Sequence, residues 1–264
     1  MEQINEVLQV LYRWIHIIFG VIWIGHLYFF NFVNGPFAAT IDGDTKKKVV
    51  PELLPRALFW FRWGAAWTWI TGILMLEFLF YRGSKLVATS PDLISSATWI
   101  MVAVTFFGFA LYDFLAKSSI GKDAKKFGVT SFIILSAIIY LYVNYGNFSY
   151  RSMLMHTGVL FGTIMAANVW MRIWPSQQKI ITAIKNGEAP DASLVALAGQ
   201  RSRHNTYMSV PLLYTMIGQH TTVFAGGNFG LTEQNAWVAW LVIILLGWHI
   251  VFQFYKRAGK VKGF

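Results

Sequence analysis

Six histidines give this 264-residue sequence its widest range of possible chemistry. A neutral imidazole can bind a metal, accept a proton or donate a hydrogen bond. All six lie within long apolar segments or at their ends, at His16, His26, His156, His204, His220 and His249. Polar side chains are costly in a bilayer, and they usually face the interior of a helix bundle or mark a functional path. The histidines are therefore the first candidates for a site.

The depths of these histidines suggest axial ligation of haem. His16, His156 and His220 fall in one half of the apolar segments, and the other three fall in the opposite half or at its surface. A membrane b-type cytochrome binds each iron through two imidazoles from facing helices. We therefore predict one or two haem b groups. The predicted iron ligands are His16, His156, His220 and His249, with His204 as the next candidate.

Other interpretations of the same residues stay open. A single histidine in a membrane is more often a hydrogen-bonding partner or a proton relay. His204 and His220 are 16 residues apart, so they point to nearly opposite faces of a straight helix, although Pro211 between them could kink it. His204 could instead be interfacial. Gly158 and Gly162 could make room for a macrocycle or simply allow close helix packing.

Buried charges add candidate anion contacts. Arg62 enters the second apolar segment and Arg13 lies near one end of the first. Either guanidinium could bind haem propionates or an anionic substrate, or could extend to lipid headgroups. Asp113 could pair with Arg62 or cap a helix. Arg203 is a further candidate for an anion contact.

These residues must be positioned by transmembrane helices. Hydrophobic residues make up 56% of the chain and charged residues 13%, whereas soluble domains carry about 25% charged residues. The composition predicts an all-α integral membrane bundle forming one domain over residues 1–264, with an amphipathic cytoplasmic connection near 175–203. About seven apolar spans are predicted, near 8–33, 57–81, 93–116, 128–145, 151–174, 204–223 and 234–256.

The charge distribution predicts the orientation. Seventeen of the 22 Lys and Arg residues fall in the odd-numbered connections and the C-terminal tail, and three fall on the opposite side. This bias predicts an outside N-terminus and a cytoplasmic C-terminus. The net charge of +10 therefore reflects topology, and nucleic-acid binding is not expected. The lipid bilayer is the expected partner.

The missing residue types and motifs exclude several chemistries. The chain has no Cys, which excludes disulfides, thiolate ligands and covalent attachment of haem c. It contains no hydrolase triad pattern, no glycine-rich phosphate loop and no HExxH motif. Redox or proton chemistry is what the residues favour.

Several motifs resemble one family over almost the whole chain. They are Arg13-Trp-Ile-His16, Trp23-Ile-Gly25, Tyr28-Phe-Phe-Asn31-Phe, Phe59-Trp-Phe-Arg62-Trp-Gly64, Thr71-Gly72, His156-x-Gly158-x3-Gly162-Thr-Ile-Met-Ala-Ala-Asn168-Val, Gln200-Arg-Ser-Arg-His204-Asn-x-Tyr-Met and Pro211. Together they resemble the membrane domain of bacterial urate hydroxylases, the urate oxidase N-terminal family. His220 and His249 also match histidines of that pattern, and His26 departs from it.

The resemblance implies a membrane enzyme that oxidises urate to 5-hydroxyisourate and passes electrons to the respiratory chain through cytochrome c. It also implies the bacterial inner (cytoplasmic) membrane. Fuller family members carry a C-terminal cytochrome c domain, which this Cys-free chain lacks. We therefore expect a separate acceptor, either a cytochrome c or a respiratory complex, with quinone as another candidate. The substrate is expected to be urate or a related purine.

Two alternatives of other classes stay open. The chain could be a non-catalytic di-haem b anchor that relays electrons within a larger respiratory complex. It could also be a transporter or structural membrane protein without a cofactor. The absence of evident inverted repeats counts against a transporter.

Overall fold

The computed structural model describes residues 2–82 and 87–263, which form nine α-helices in this part of the chain. The helices are α1 (Glu2–Tyr28), α2 (Gly35–Thr40), α3 (Gly43–Leu76), α4 (Ser96–Lys117), α5 (Ala124–Asn144), α6 (Tyr150–Asn168), α7 (Trp174–Lys185), α8 (Ala192–Gly218) and α9 (Ala236–Ala258).

Six continuous helical stretches among the described residues are long and apolar enough to cross a membrane. They are Gln3–Thr40, Gly43–Arg82, Ser96–Lys117, Ala124–Asn144, Tyr150–Lys185 and Ala236–Ala258. The predicted all-α membrane bundle is confirmed by this architecture. The seventh predicted span, 204–223, falls on α8, which is not among the six because its first half is polar and basic.

Aspartates define the starts of three helices. Asp42 precedes α3, Asp123 caps α5 and Asp191 precedes α8, and each accepts from backbone N–H groups two or three residues ahead. Such caps satisfy the free donors of a first helical turn. The cap at Asp191 makes α8 start at Ala192, so the second half of the predicted 175–203 connection continues without a break into the helix that carries His204.

Three of the continuous helical stretches contain π-helical segments, which follow α1 at Phe29–Asn34, α3 at Glu77–Arg82 and α6 at Val169–Ile173. A π segment widens the helix by one residue per turn and is often found at functional sites. Each of the three supplies side chains to one of the polar clusters of the chain.

The chain divides into two compact units. Unit 1 comprises Met1–Leu74, Met165–Val210 and Gly247–Phe264, and unit 2 comprises Met75–Ile164 and Pro211–Leu246. The core of unit 1 includes the buried side chains of Trp23 and Phe61. The core of unit 2 includes those of Tyr142 and Leu154.

Helices α1 and α3 pack closely within unit 1. A Cβ atom at Gly64 would lie 3.1 Å from the backbone nitrogen of Trp23, so only glycine allows this approach without displacement. The close packing continues about two turns along both helices, where α1 carries His16 and α3 carries Thr71.

Candidate functional site

The six histidines are divided between the two units. Unit 1 contains four of them, His16, His26, His204 and His249. Unit 2 contains His156 and His220.

His16 is held by a threonine on the neighbouring helix. The Thr71 hydroxyl donates to the Trp67 carbonyl at 2.6 Å, so its oxygen accepts from His16 Nδ1–H, at 3.2 Å. A Cβ atom at Gly72 would lie 3.1 Å from Cε1 of His16, so this glycine allows the ring to approach. The arrangement places the proton on Nδ1 and leaves the Nε2 lone pair for another group, as in histidines that bind metals.

His156 is fully buried and both of its ring nitrogens are engaged. The Ser152 carbonyl lies 2.8 Å from Nδ1, and a carbonyl can only accept, so the ring proton is on Nδ1. Nε2 therefore accepts a hydrogen bond from the Tyr81 hydroxyl, at 2.9 Å.

Aromatic rings enclose His156 on several sides. The centroid distances from its ring are 4.5 Å to Phe148, 6.0 Å to Phe80 and 6.2 Å to Tyr142. Phe148 and Tyr142 are themselves stacked at 4.8 Å with an interplanar angle of 7°. This enclosure keeps water away from the Tyr81–His156 hydrogen bond.

The other histidines lie nearer the surface of the chain. His220 is exposed in the turn after α8, because the helix ends at Gly218 and not at the predicted end of the span, 223. His249 is exposed on α9, where the Gln253 amide donates to its Nε2 at 3.1 Å. His26 and His204 are half-buried, and His26 donates from Nδ1 to its own helix at the Ile22 carbonyl.

Haem ligation requires the Nε2 lone pair and flat space beside the ring. The surroundings of His16 meet the first requirement, because Thr71 holds the ring proton on Nδ1 and leaves the Nε2 lone pair for another group. Those of His156 do not fit, because Tyr81 uses the lone pair and aromatic rings cover the imidazole. Among the described residues, no group of three or more His, Asp or Glu side chains is arranged to hold a bare metal ion.

Neighbouring side chains fill the space beside the glycines near His156. A Cβ atom at Gly158 would overlap the Thr215 hydroxyl, and one at Gly162 would lie 3.6 Å from a methyl group of Leu212. Of the two sequence interpretations, close helix packing is therefore the one that these contacts support.

Arg62 lies in an aromatic cage within unit 1. Its guanidinium is 4.0 Å from the ring centroid of Trp174, 5.7 Å from Trp170 and 5.9 Å from Phe59. The Trp170 indole donates to the Arg62 carbonyl at 3.1 Å, which fixes the backbone beneath the cage. The buried Nε of Arg62 has no hydrogen-bond partner in the described chain. Asp113, the other proposed partner, forms its ion pair with Lys117 at 2.7 Å.

A third cluster joins α1, α8 and α9. Asn31, in the first π segment, donates to the Ser202 hydroxyl at 2.8 Å and accepts from the Tyr255 hydroxyl at 2.7 Å. The Arg203 guanidinium lies 5.2 Å from the centroid of the Tyr255 ring. Arg203 is therefore an exposed cation that the Tyr255 ring supports.

The partners of these residues were not predicted from the sequence. Tyr81 and Tyr255 gave no signal, because they are ordinary residues of apolar helices and their partners are distant in sequence. Thr71 was part of a family motif, and Ser152 precedes His156 by four residues, a spacing that places both on one helix face. That spacing is the one signal that could have identified Ser152.

The helices and buried polar clusters define a multi-pass, all-α membrane protein. The sequence model of the family described as urate oxidase N-terminal matches residues 41–263. The chain belongs to this family. Arg62, His156, His204, His220 and His249 lie inside the matched range, whereas His16 and the motifs of the first span precede it. No curated protein and no solved structure matches the chain.

Proposed function

We propose that this chain is a membrane oxidoreductase that oxidises urate or a closely related purine. The observation that carries the proposal is the family match over residues 41–263, which includes the Arg62 cage and the buried His156. Hydroxylation of urate at C5 by water releases two electrons and two protons. The chain therefore needs an electron acceptor, and we propose a separate cytochrome c or a respiratory complex in the bacterial cytoplasmic membrane, with quinone as another candidate.

Arg62 is the residue we propose for recognition of the anionic purine. Urate is a planar anion at neutral pH, and a guanidinium offers both charge and parallel N–H donors to such a group. Trp174 lies against the guanidinium at 4.0 Å and holds its plane. Because the ion pairs of the described residues do not include Arg62, its charge is available for an anion. Arg203, on the Tyr255 ring, is the second candidate.

Haem b is the cofactor we propose, with His16 as the axial ligand best prepared by its surroundings. When bound, the group would accept the two electrons of the purine one at a time and pass them to the acceptor. Thr71 would hold the His16 tautomer through its oxygen at 3.2 Å from Nδ1. His220 stays in the proposal as a further ligand and His204 as the next candidate. His249 would bind iron only after giving up the hydrogen bond that Gln253 donates to its Nε2.

The test uses the detergent-purified chain. Oxidised and dithionite-reduced spectra with a pyridine haemochrome assay measure haem b, and anaerobic urate is then added. Reduction of the haem by urate, lost in Arg62→Ala and kept in Arg13→Ala, is the expected result. Haem that urate does not reduce would favour the electron-relay subunit. A protein that stays colourless after reconstitution with haem would remove the haem proposal.

A further inference from the structure

Tyr81 and His156 form a hydrogen-bonded chain that ends on a backbone carbonyl. Its order is Tyr81 O–H to Nε2 of His156, at 2.9 Å, and Nδ1–H of His156 to the Ser152 carbonyl, at 2.8 Å. The Ser152 hydroxyl lies 3.0 Å from the same Nδ1. A hydroxyl, an imidazole and an orienting acceptor in this order are the elements by which proteins move a proton off a hydroxyl group.

The directions of these hydrogen bonds follow from the donor and acceptor chemistry. Because the Ser152 carbonyl must accept, His156 carries its proton on Nδ1, and Nε2 can only accept. The phenol of Tyr81 is then the donor. Each atom of the pair thus has one role, and the proton between Tyr81 and Nε2 lies on the oxygen.

The neighbouring tyrosine does not compete for His156. Thr105 donates its hydroxyl to the Met101 carbonyl at 3.0 Å, so its oxygen accepts from the Tyr142 hydroxyl at 2.7 Å. The Tyr142 proton is therefore directed to Thr105, although its ring lies 6.2 Å from that of His156. Tyr81 is the phenol that bonds to the imidazole.

Burial differs between the two members of the pair. His156 has 0% exposure, whereas Tyr81 is half-buried. Phe80 and Phe148 shield the imidazole from its surroundings. Phe80 is next to Tyr81 in the same π segment. Of the two side chains, Tyr81 is thus the one that is partly exposed.

We propose that Tyr81 and His156 are a proton-transfer pair and that Ser152 is the residue that positions it. A proton that arrives at the Tyr81 oxygen forms a new O–H bond, while the original O–H bond breaks and an N–H bond forms at Nε2. The imidazolium keeps its Nδ1–H bond to Ser152, and the reverse step returns the proton. Nε2 is consequently not an axial haem ligand. The pair needs neither haem nor purine for its hydrogen bonds, so the assignment goes beyond the proposed enzymatic activity.

The test is nitrogen-15 NMR of histidine-labelled protein in nanodiscs, without substrate. The buried His156 should give a neutral imidazole with the proton on Nδ1 and an unprotonated Nε2. In Tyr81→Phe the Nε2 resonance should shift, because its donor is gone, and the rate at which Nε2 gains a proton after a drop in pH should fall at least about tenfold. The Nε2 chemical shift reports this step, because it moves when an N–H bond forms at that nitrogen.

The matched control is Tyr142→Phe, which removes a phenol from the same aromatic enclosure but not from Nε2. It should leave the Nε2 resonance and the rate of Nε2 protonation unchanged. Ser152→Ala should keep the tautomer, because the backbone carbonyl stays. The proposal would be overturned by equal effects of the two Tyr→Phe changes or by no effect of Tyr81→Phe. It would also be overturned by His156 signals that iron broadens in haem-loaded protein. Loss of urate oxidation alone would not overturn it, since the measurement contains no substrate.

Discussion

The α-carbon of Gly158 on α6 packs against the Thr215 hydroxyl on α8, with no room for a side chain between them. A methyl group at position 158 would overlap that hydroxyl and would lie 3.1 Å from the terminal methyl of Met216. Gly158→Ala should therefore force the helices apart and reduce stability by about 1–3 kcal/mol. Thermal unfolding of the detergent-purified variant measures this loss.

Gly162→Ala is the control for the same helix one turn on. A methyl group there would meet Leu212 at 3.6 Å, which is an ordinary van der Waals contact. We expect its unfolding temperature to equal or exceed that of the native chain, since alanine favours helix over glycine by about 1 kcal/mol. Equal losses for the two variants would show that the Thr215 contact does not limit the packing.

Thr71→Val should disturb His16 while preserving the shape of the core. The substitution removes the oxygen that accepts from Nδ1, so the imidazole loses its fixed tautomer. Partners of this kind commonly contribute about 10–100-fold to affinity for a bound metal. If His16 binds haem b, haem content after equilibration with limiting haem should fall by a factor in that range, measured by pyridine haemochrome.

Thr68→Val is the matched control, because the Thr68 hydroxyl donates to the Gly64 carbonyl on its own helix. It should retain haem at the native level. Similar haem content in both variants and the native chain would argue that Thr71 does not orient a ligand.

Trp174→Leu should weaken recognition of the anionic purine. The Trp174 ring is the closest wall of the Arg62 cage, and cation–π contacts contribute about 0.5–2 kcal/mol. Without that wall the guanidinium is no longer held in one plane, so KM for urate should rise by about 2- to 30-fold with kcat little changed. Steady-state urate oxidation with an artificial electron acceptor measures both constants.

Trp63→Leu serves as the comparison for this change. Trp63 packs edge-on against Trp170 at 5.5 Å and contributes to the same aromatic group without forming the face beneath the guanidinium. Its KM should stay within about twofold of the native value. An equal rise in KM in the two variants would show that the effect comes from general repacking.

Acid should lower the stability of the fold by protonating its capping aspartates. The Lys126 and Lys125 backbone N–H groups hold the pKa of the Asp123 carboxyl below its usual value, and Ser193 does the same for Asp191. A carboxyl with a lowered pKa in the folded state adds stability that is complete above its unfolded pKa, about 4. That stability is lost as the pH falls through the lower folded value.

Asp123→Asn separates this effect from general acid damage, because asparagine caps a helix without titrating. The unfolding temperature of the native chain should exceed that of the variant at neutral pH, and the difference should shrink as the pH falls below about 4. A difference that stays constant down to pH 2 would show that the Asp123 charge contributes nothing.

The helices could be predicted closely where apolar character alone decides them. The predicted spans 93–116 and 128–145 correspond to Ser96–Lys117 and Ala124–Asn144, with shifts of a few residues. Prediction was less accurate for α8, whose polar first half resembles a surface connection although it is continuous helix from Asp191 onward. The local hydrogen bonds of the helix cap, which the hydropathy pattern does not reveal, determine that start.

The site was less predictable than the helices, for a physical reason. The sequence by itself determined that this is an all-α membrane protein with histidines and arginines in apolar segments, since residue type and spacing control burial in lipid. It could not determine what each imidazole does, because this depends on which atoms lie within about 3 Å of each ring nitrogen. Tertiary structure placed Thr71 beside His16 and Tyr81 beside His156. His16 thereby keeps its Nε2 lone pair for another group, whereas Nε2 of His156 accepts a hydrogen bond from the phenol of Tyr81.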